Sequence, residues 1–240
     1  MRGNDPKSEQ VELSIIIPAY NEALRIGRSL ERILTYFEDS SIEILVVDDG
    51  SSDDTQMVAN SFLNPAIRIL SYGQNQGKGF AVKHGMLHAK GKYLLLTDAD
   101  LSTPIEYYDH LKAFIEEYPV VIGSRGMKES DVSNSFIRVF LGKAGNKLVQ
   151  AILPGIKDTQ CGFKLFQAKI AQQIFSQQRL KGFGFDFEIL FIAQRQKLGI
   201  REVPVKWINA EGSKVKAKHY ITTLIELGTV VLNNLRGRYQ

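Results

Sequence analysis

Through its first half the chain alternates short, almost unbroken apolar runs with segments of helical periodicity, and this alternation restricts the fold more than any other feature. The runs cover residues 13–17, 42–47, 67–70, 93–96 and 120–122. Between them the spacing predicts helices over 23–37, 55–62, 78–88 and 104–118. In the first of these, Leu24, Ile26, Leu30, Ile33, Leu34 and Phe37 recur near helical period. Strands that are apolar on both sides are buried on both faces. The pattern therefore predicts an α/β fold, with a mostly parallel, Rossmann-like sheet and helices on each side. Such sheets bind ligands beyond the carboxyl ends of their strands, so the residues just after each run carry the most information.

The second half reads as more helical, with helices predicted over 136–153, 168–177, 186–197 and 219–235 and a late strand over 202–208. There is no internal repeat, low-complexity tract or linker, which predicts one domain over 11–235 behind a disordered tail at 1–10. With 44% hydrophobic residues in 240, the chain can bury a sizeable core. Its net charge of +4 permits anionic partners without choosing among nucleotide-sugars, phospholipids and nucleic acid. Cys161 is the single cysteine, so the fold does not depend on an intramolecular disulfide. No stretch approaches the roughly 18 apolar residues of a membrane span, and the polar start has no secretory h-region. The expected location is cytoplasmic, with attachment at a membrane surface left open.

Three strand ends stand out. The fourth run finishes in Thr97-Asp98-Ala99-Asp100. Two carboxylates that close at the edge of a buried sheet repel each other unless a cation lies beside them, and hard oxygen ligands suit Mg²⁺ or Mn²⁺. Ser102 is placed to add a hydroxyl or order a water. Thr103-Pro104-Ile105-Glu106 reads as a capping box with proline at the first helical position. The competing reading makes Asp98 and Asp100 simple turn caps, and position at a strand end is what favours the metal.

The second run ends in Asp48-Asp49-Gly50-Ser51-Ser52-Asp53-Asp54-Thr55. Helix capping explains Asp53 and Asp54. Asp48 continues the strand directly and is placed to accept hydrogen bonds from a base or a ribose. The first run ends in Pro18-Ala19-Tyr20-Asn21-Glu22, where Asn21 and Glu22 either contact nucleotide or cap the first helix. Gly73-Gln74-Asn75-Gln76-Gly77-Lys78-Gly79 misses the P-loop pattern by one residue of spacing and by glycine where Ser or Thr belongs, which excludes a P-loop ATPase. A glycine-flanked lysine at a helix start still suits a phosphate. No G-x-G-x-x-G follows the first strand, which argues against a dinucleotide oxidoreductase.

Taken in order, these stretches resemble the GT-A-fold family 2 glycosyltransferases, and among them the polyprenyl-phosphate sugar synthases of the dolichyl-phosphate glucosyltransferase type. The resemblance extends through Ile122-Gly123-Ser124-Arg125, residues 157–164, Phe185-Asp186-Phe187-Glu188, residues 202–207 and Gly212-Ser213-Lys214. It implies a hexosyltransferase with a nucleotide-sugar-binding half at 11–125 and an acceptor half at 126–235. It implies that Pro18, Ala19, Tyr20, Asn21, Glu22 and Asp48 surround base and ribose, with Gly77 and Lys78 beside them. Asp98, Ala99 and Asp100 would hold the diphosphate through Mg²⁺ or Mn²⁺, and Lys214 would close over the donor. Arg125, Arg138 and Lys143 would meet the acceptor phosphate. The sequence departs from mannosyl-type relatives at Ser102, where glutamine is common, and at Lys143, where arginine is expected.

The implied reaction moves a hexose, glucose by resemblance, from a UDP-sugar to a polyprenyl phosphate with inversion. The alternatives are transfer to a sugar hydroxyl, with Asp186 or Glu188 as base, and a nucleotide-sugar-binding scaffold without turnover. Ile221, Leu224, Ile225, Gly228, Val231, Leu232 and Leu235 fall at helical spacing between basic flanks. That face predicts a helix lying on anionic lipid or packed on its own domain or on a second copy. The aromatics lie among apolar residues rather than on a basic stacking surface, so nucleic acid is not an expected partner.

Overall fold

The computed structural model describes residues 11–127, 130, 149–208 and 218–239. Among these residues seven strands form one sheet: β1 Leu13–Ala19, β2 Ile42–Asp48, β3 Ile67–Ser71, β4 Tyr93–Leu96, β5 Val120–Ser124, β6 Lys164–Gln167 and β7 Ile200–Pro204. Their order is β3-β2-β1-β4-β6-β5-β7. Strands β1 to β4 are mutually parallel, and β7 runs parallel to β5. Strand β6 lies antiparallel between β4 and β5. The helices are α1 Ala23–Tyr36, α2 Thr55–Asn60, α3 Lys78–His88, α4 Tyr108–Lys112, α5 Ala168–Gln177, α6 Phe185–Arg195 and α7 Lys218–Leu235.

Strand alternation sends Ile15 and Ile17 to one face of the sheet and Ile16 to the other, and all three are fully buried. The first face packs on Ile26, Leu30 and Ile33 of α1 and Tyr108 of α4. The second packs on Ala81, Val82 and Met86 of α3, Phe175 of α5 and Phe187 of α6. A Cβ at Gly85 would run into Ile16 and Val47, so this glycine lets α3 lie close against the sheet.

The alternation and most helix positions are as the sequence predicts, with four differences, the first being that the late strand expected over 202–208 runs instead from Ile200 to Pro204. The helix predicted over 104–118 breaks into a 3₁₀ turn at Ile105–Tyr107 and the short α4. Its capping box does not form: no side chain caps the start, and Glu106 reaches instead to Arg32 of α1 at 2.8 Å. The helix predicted over 55–62 stops at Asn60. Strand β6 is absent from the sequence reading altogether. It is four residues long and begins with a lysine, so it carries no apolar run to detect. Of the helix predicted over 136–153, residues 136–148 lie outside the described residues, as does the tail at 1–10.

The reversal of β6 decides the site. In register, Lys164 sits opposite Leu96 of β4 and Ile122 of β5. A strand running backwards begins where its neighbours end, so its first residue joins the carboxyl edge that holds the acidic triplet.

Candidate active site

At the β1/β2 corner two loops are joined mainly by hydrogen bonds from backbone amides and hydroxyls. Asn21 occupies the left-handed region at φ 54°, a conformation asparagine tolerates. Its amide donates to Ser51 Oγ at 2.9 Å, and its Oδ1 accepts from the Ser52 amide at 2.8 Å. The Glu22 amide donates to Thr55 Oγ1 at 2.7 Å, and the Ala23 amide to Asp53 at 3.1 Å. Glu22 holds Arg25 at 2.6 Å rather than capping α1. Asp48 is fully buried and accepts from Gln56 at 2.6 Å and from the Ser51 amide and Ser71 Oγ at 3.3 Å. The expected base or ribose contact at Asp48 thus sits behind these side chains. Tyr20 is exposed beside them, with Pro18 and Ala19 at the end of β1.

Asp49, which the sequence reading passed over, fixes the glycine loop. Its carboxylate accepts the amides of Gln76 at 2.6 Å and Gly77 at 2.9 Å. The Gly79 and Phe80 amides donate to the Lys181 carbonyl at 2.8 and 3.2 Å. These four amides at the start of α3 therefore have protein partners. Gly77, at φ 100°, lies tight against Lys181, and a Cβ at Gly79 would strike Leu180 and Gly182. Close packing accounts for these glycines, and the Lys78 side chain is what the loop presents to the site.

Lys78 Nζ binds Asp98 Oδ1 at 2.7 Å. Burial pushes the Asp98 carboxyl up, but the Lys78 ammonium and, further off, Lys164 and Arg125 bring it below the usual carboxylate range. Its side chain remains 33% exposed. A Cβ at Gly162 would overlap this carboxylate, so a larger residue there has to displace it. Asp100 receives the Ser102 amide at 3.0 Å and Ser102 Oγ at 2.8 Å, and Arg25 stands 3.8 Å away. Burial and then the charge of Asp98 hold the Asp100 carboxyl above its ordinary value. Ser102 is thus an orienting donor to Asp100. The loop is pinned by Ser29 Oγ on the Ala99 carbonyl at 2.7 Å and by the Ile208 amide on the Ser102 carbonyl at 2.8 Å. Leu101 between them adopts φ 48°, a backbone strain that the surrounding contacts sustain.

Two more ion pairs complete the corner. Lys164, fully buried, donates to Asp186 at the start of α6 and to the Cys161 carbonyl. Burial raises the Asp186 carboxyl, while Lys164 and Lys78 oppose that rise. Arg125 forks onto Asp158, Nε at 2.7 Å and Nη2 at 2.9 Å, beneath the Trp207 ring. Glu202 of β7 accepts the Lys157 and Asp158 amides at 2.9 and 3.0 Å, which orients that loop. Glu188 is fully buried and accepts the Arg179 and Leu180 amides and the Tyr239 hydroxyl. A general-base role expected for Glu188 does not fit this burial, because its oxygens are already taken by these donors. Arg138, Lys143 and Lys214 lie outside the described residues.

The structure therefore brings Lys78, Asp98, Asp100, Arg125, Lys164 and Asp186 to one edge. A hard divalent cation fits this edge. Two carboxylates share one short loop, and the charge of Asp98 adds to burial in raising the Asp100 carboxyl. No group of three or more His, Cys, Asp or Glu side chains is gathered for a metal among the described residues. Two carboxylates completed by substrate phosphates and water is the usual arrangement for Mg²⁺.

Residues 14–175 match the model of Glycosyl transferase family 2. The chain belongs to this family. Curated relatives agree. The chain is 37% identical over 227 residues to the dolichyl-phosphate beta-glucosyltransferase of Dictyostelium discoideum, covering 86% of this chain and 69% of that one. It is 34% identical over 225 residues to the Homo sapiens protein of the same name, covering 85% and 69%. Among solved structures, mannosyl-3-phosphoglycerate synthase from Rubrobacter xylanophilus superposes with a TM-score of 0.73 at 22% identity, covering 96% of this chain and 76% of that one. Glucosyl-3-phosphoglycerate synthase from Mycobacterium tuberculosis, crystallised with Mn²⁺, UDP-glucose and phosphoglyceric acid, gives 0.71 at 17% identity, covering 91% and 79%. The fold is GT-A, and this family 2 member is a glycosyltransferase.

Proposed function

We propose that the chain transfers glucose from UDP-glucose to a dolichyl-type polyprenyl phosphate, inverting the sugar carbon, with Mg²⁺ or Mn²⁺ held at Asp98 and Asp100. The observation that carries this is the paired acidic loop at the end of β4, set among Lys78, Lys164 and Arg125. The names of relatives matched over most of the chain supply the substrate class. The domain is taken as 11–235, with the donor on 11–125 and the acceptor on 126–235.

A bound divalent ion supplies positive charge against the departing nucleotide diphosphate. Lys78 keeps Asp98 ionised and adds a cation beside it. Ser102 and Ser29 fix the direction of the acidic loop, so little reorganisation accompanies charge development. Lys164 holds Asp186 at the same edge. A phosphate acceptor is already ionised at neutral pH and needs no strong base. A sugar hydroxyl does need one, and Asp186, the remaining candidate, is paired with a buried lysine. Arg125 offers the acceptor phosphate a cation whose fork onto Asp158 it has to share or exchange.

The proposal includes peripheral attachment at the cytoplasmic face. No described helix is long and apolar enough to cross a membrane. Helix α7 buries Leu227 and Val230 and turns Ile225, Val231, Leu232 and Leu235 outward, with exposed Arg236 and Arg238 following. An exposed apolar face beside cations suits an anionic lipid surface. Flotation with anionic vesicles at low salt is expected to carry the protein, and failure to float sinks the attachment.

The deciding experiment is a panel of nucleotide-sugars offered with a short polyprenyl phosphate, with and without divalent metal. Metal-dependent transfer of glucose from UDP-glucose is expected. Transfer only to free sugars, or none at all, refutes the proposal.

A further inference from the structure

The turn before α6 is tied to the start of α3 on one side and to α7 on the other, and it joins two charged residues of the site. On the α3 side the Lys181 carbonyl accepts the Gly79 and Phe80 amides at 2.8 and 3.2 Å, and Lys181 Nζ donates to Gln76 Oε1 at 2.8 Å. Gln178, buried, donates from its side-chain nitrogen to the Gly79 and Leu180 carbonyls, both at 2.8 Å. Lys78 lies within this stretch. Its ammonium meets Asp98 at 2.7 Å, with the charges of Asp186 and Asp100 also acting on it. The turn then runs through Gly184, the residue just before α6, to Asp186 in the first turn of that helix.

On the α7 side one carboxylate holds the turn. Glu226 accepts the Gly184 amide at 2.8 Å and also engages the Gly182 amide. A Cβ on Gly182 would strike Glu226 Oε1, and one on Gly184 would strike Oε2, so each oxygen lies against one of the two glycines. A carboxylate accepts on both oxygens and donates on neither, which suits two amides of a single turn. Amides at a helix start lack partners within their own helix, so capping of α6 accounts for the Gly184 contact. It does not account for the Gly182 contact, which lies outside α6 and directly follows Lys181, the residue whose carbonyl holds α3. Lysine carries its charge on a flexible stem, so the place of the Lys78 ammonium depends on how firmly the start of α3 is held.

Resting on the function proposed above, we infer that Glu226 is a positioning residue of the donor site: through the Gly182 amide and the Lys181 carbonyl it sets the start of α3, and with it the Lys78 ammonium beside Asp98. Glu226 acts through backbone groups and touches no substrate. Its charge-assisted bonds to the two amides fix the turn, the turn fixes the Gly79 and Phe80 amides, and Lys78 is delivered to the corner where the donor diphosphate is placed.

Calorimetric titration of UDP in Mn²⁺, on the full chain, over a double-mutant cycle of Glu226→Gln and Lys78→Met tests this. In Glu226→Gln one acceptor becomes an NH₂ donor facing a backbone amide. The variant is expected to bind UDP about tenfold more weakly, within the range of coupling in one hydrogen-bond network. In the Lys78→Met background the same change is expected to weaken UDP by less than about twofold, because the group it positions is gone. In steady-state transfer the loss is expected in the KM for UDP-glucose, with the KM for polyprenyl phosphate unchanged. A lower melting temperature with UDP affinity unchanged, or equal losses of affinity in both backgrounds, overturns the inference and leaves the proposed activity standing. Glu226→Asp keeps both oxygens on a shorter stem and is expected to fall between wild type and Glu226→Gln; it carries the same cycle should the glutamine variant fail to fold. A wild type that binds UDP but transfers no glucose refutes the proposed activity, while the cycle on UDP binding still decides the role of Glu226. A wild type that binds no UDP sinks both.

Discussion

The β1/β2 corner and the β4/β6 corner stand at the same edge of one sheet but are built from opposite materials. At the first, Asn21, Asp48, Asp49 and Asp53 are joined mainly to backbone amides, hydroxyls and a glutamine. At the second, Asp98, Asp158 and Asp186 are each joined to a cation, and Asp100 stands near one. Hydrogen bonds from amides and hydroxyls to these carboxylates are short-ranged and directional, and they fix loop geometry. Ion pairs at a partly exposed edge hold charges that a charged substrate can meet and exchange with. The first corner is a frame, and the second is where the proposed chemistry on a diphosphate is placed.

The sharpest break of this contrast comes from Asp100. Asp100→Ala is expected to lower turnover about 10²–10³-fold while thermal unfolding stays close to wild type. Steady-state transfer at saturating donor and metal measures the first and a melting curve the second. Unchanged turnover removes the chemical role of the β4/β6 corner. Next in size is Gly162→Ala, which forces a methyl group against the Asp98 carboxylate. Displacing that group by a fraction of an ångström to 1 Å is expected to lower turnover by up to about 10²-fold, with UDP binding in Mn²⁺ weakened in parallel.

At the framing corner the expected damage is to stability. Asp49→Ala leaves the Gln76 and Gly77 amides without their acceptor. That costs about 2–3 kcal/mol, read as a lower denaturation midpoint at an unchanged denaturant slope. Should Asp49→Ala instead melt like wild type, the corner is not the frame described here.

The smallest effects are in pH dependence, and they have opposite signs. Burial pushes Asp158 up, but Arg125 more than compensates, so its folded-state pKa lies below that of the unfolded chain. Its stabilisation is full above about pH 4, the unfolded carboxyl value, and is lost as the pH falls through the folded value. Glu188 is raised by burial in spite of its hydrogen bonds. The folded chain therefore holds that proton more tightly, and stability falls as the pH rises from about 4.3 through the folded value. Asp158→Asn is expected to flatten the acid limb of the stability profile, and Glu188→Gln to remove the opposite slope above it. Identical profiles in both variants would show that neither carboxyl is shifted by folding.

Much of this was readable in the sequence. Apolar runs marked the five strands β1 to β5: β1, β2, β4 and β5 are buried on both faces and so contain few polar residues to break the run, while the edge strand β3, only partly buried, kept an apolar run broken only by Arg68. The acidic triplet was readable because it directly follows such a run. Asp49 was passed over because adjacent aspartates in a turn look alike until the fold brings the Gln76 and Gly77 amides, 27 and 28 residues away, against one of them. Lys164 and Gly162 appeared only within a resembling stretch, with no pattern of their own to state what they touch. The expected capping box at Thr103–Glu106 failed because a partner distant in sequence, Arg32, took the glutamate.

Local order in the chain thus settled the α/β class, the strand ends that matter and the carboxylates that make a cation site plausible, since hydrophobic period and turn chemistry act between near neighbours. Tertiary structure alone decided which charges meet. The backward course of β6 brings Lys164 to the carboxyl edge, and Glu226 of α7 holds the turn before α6 through the Gly184 amide. Both depend on contacts between residues far apart along the chain, whose formation is set by packing the whole sheet and its helices rather than by any local preference.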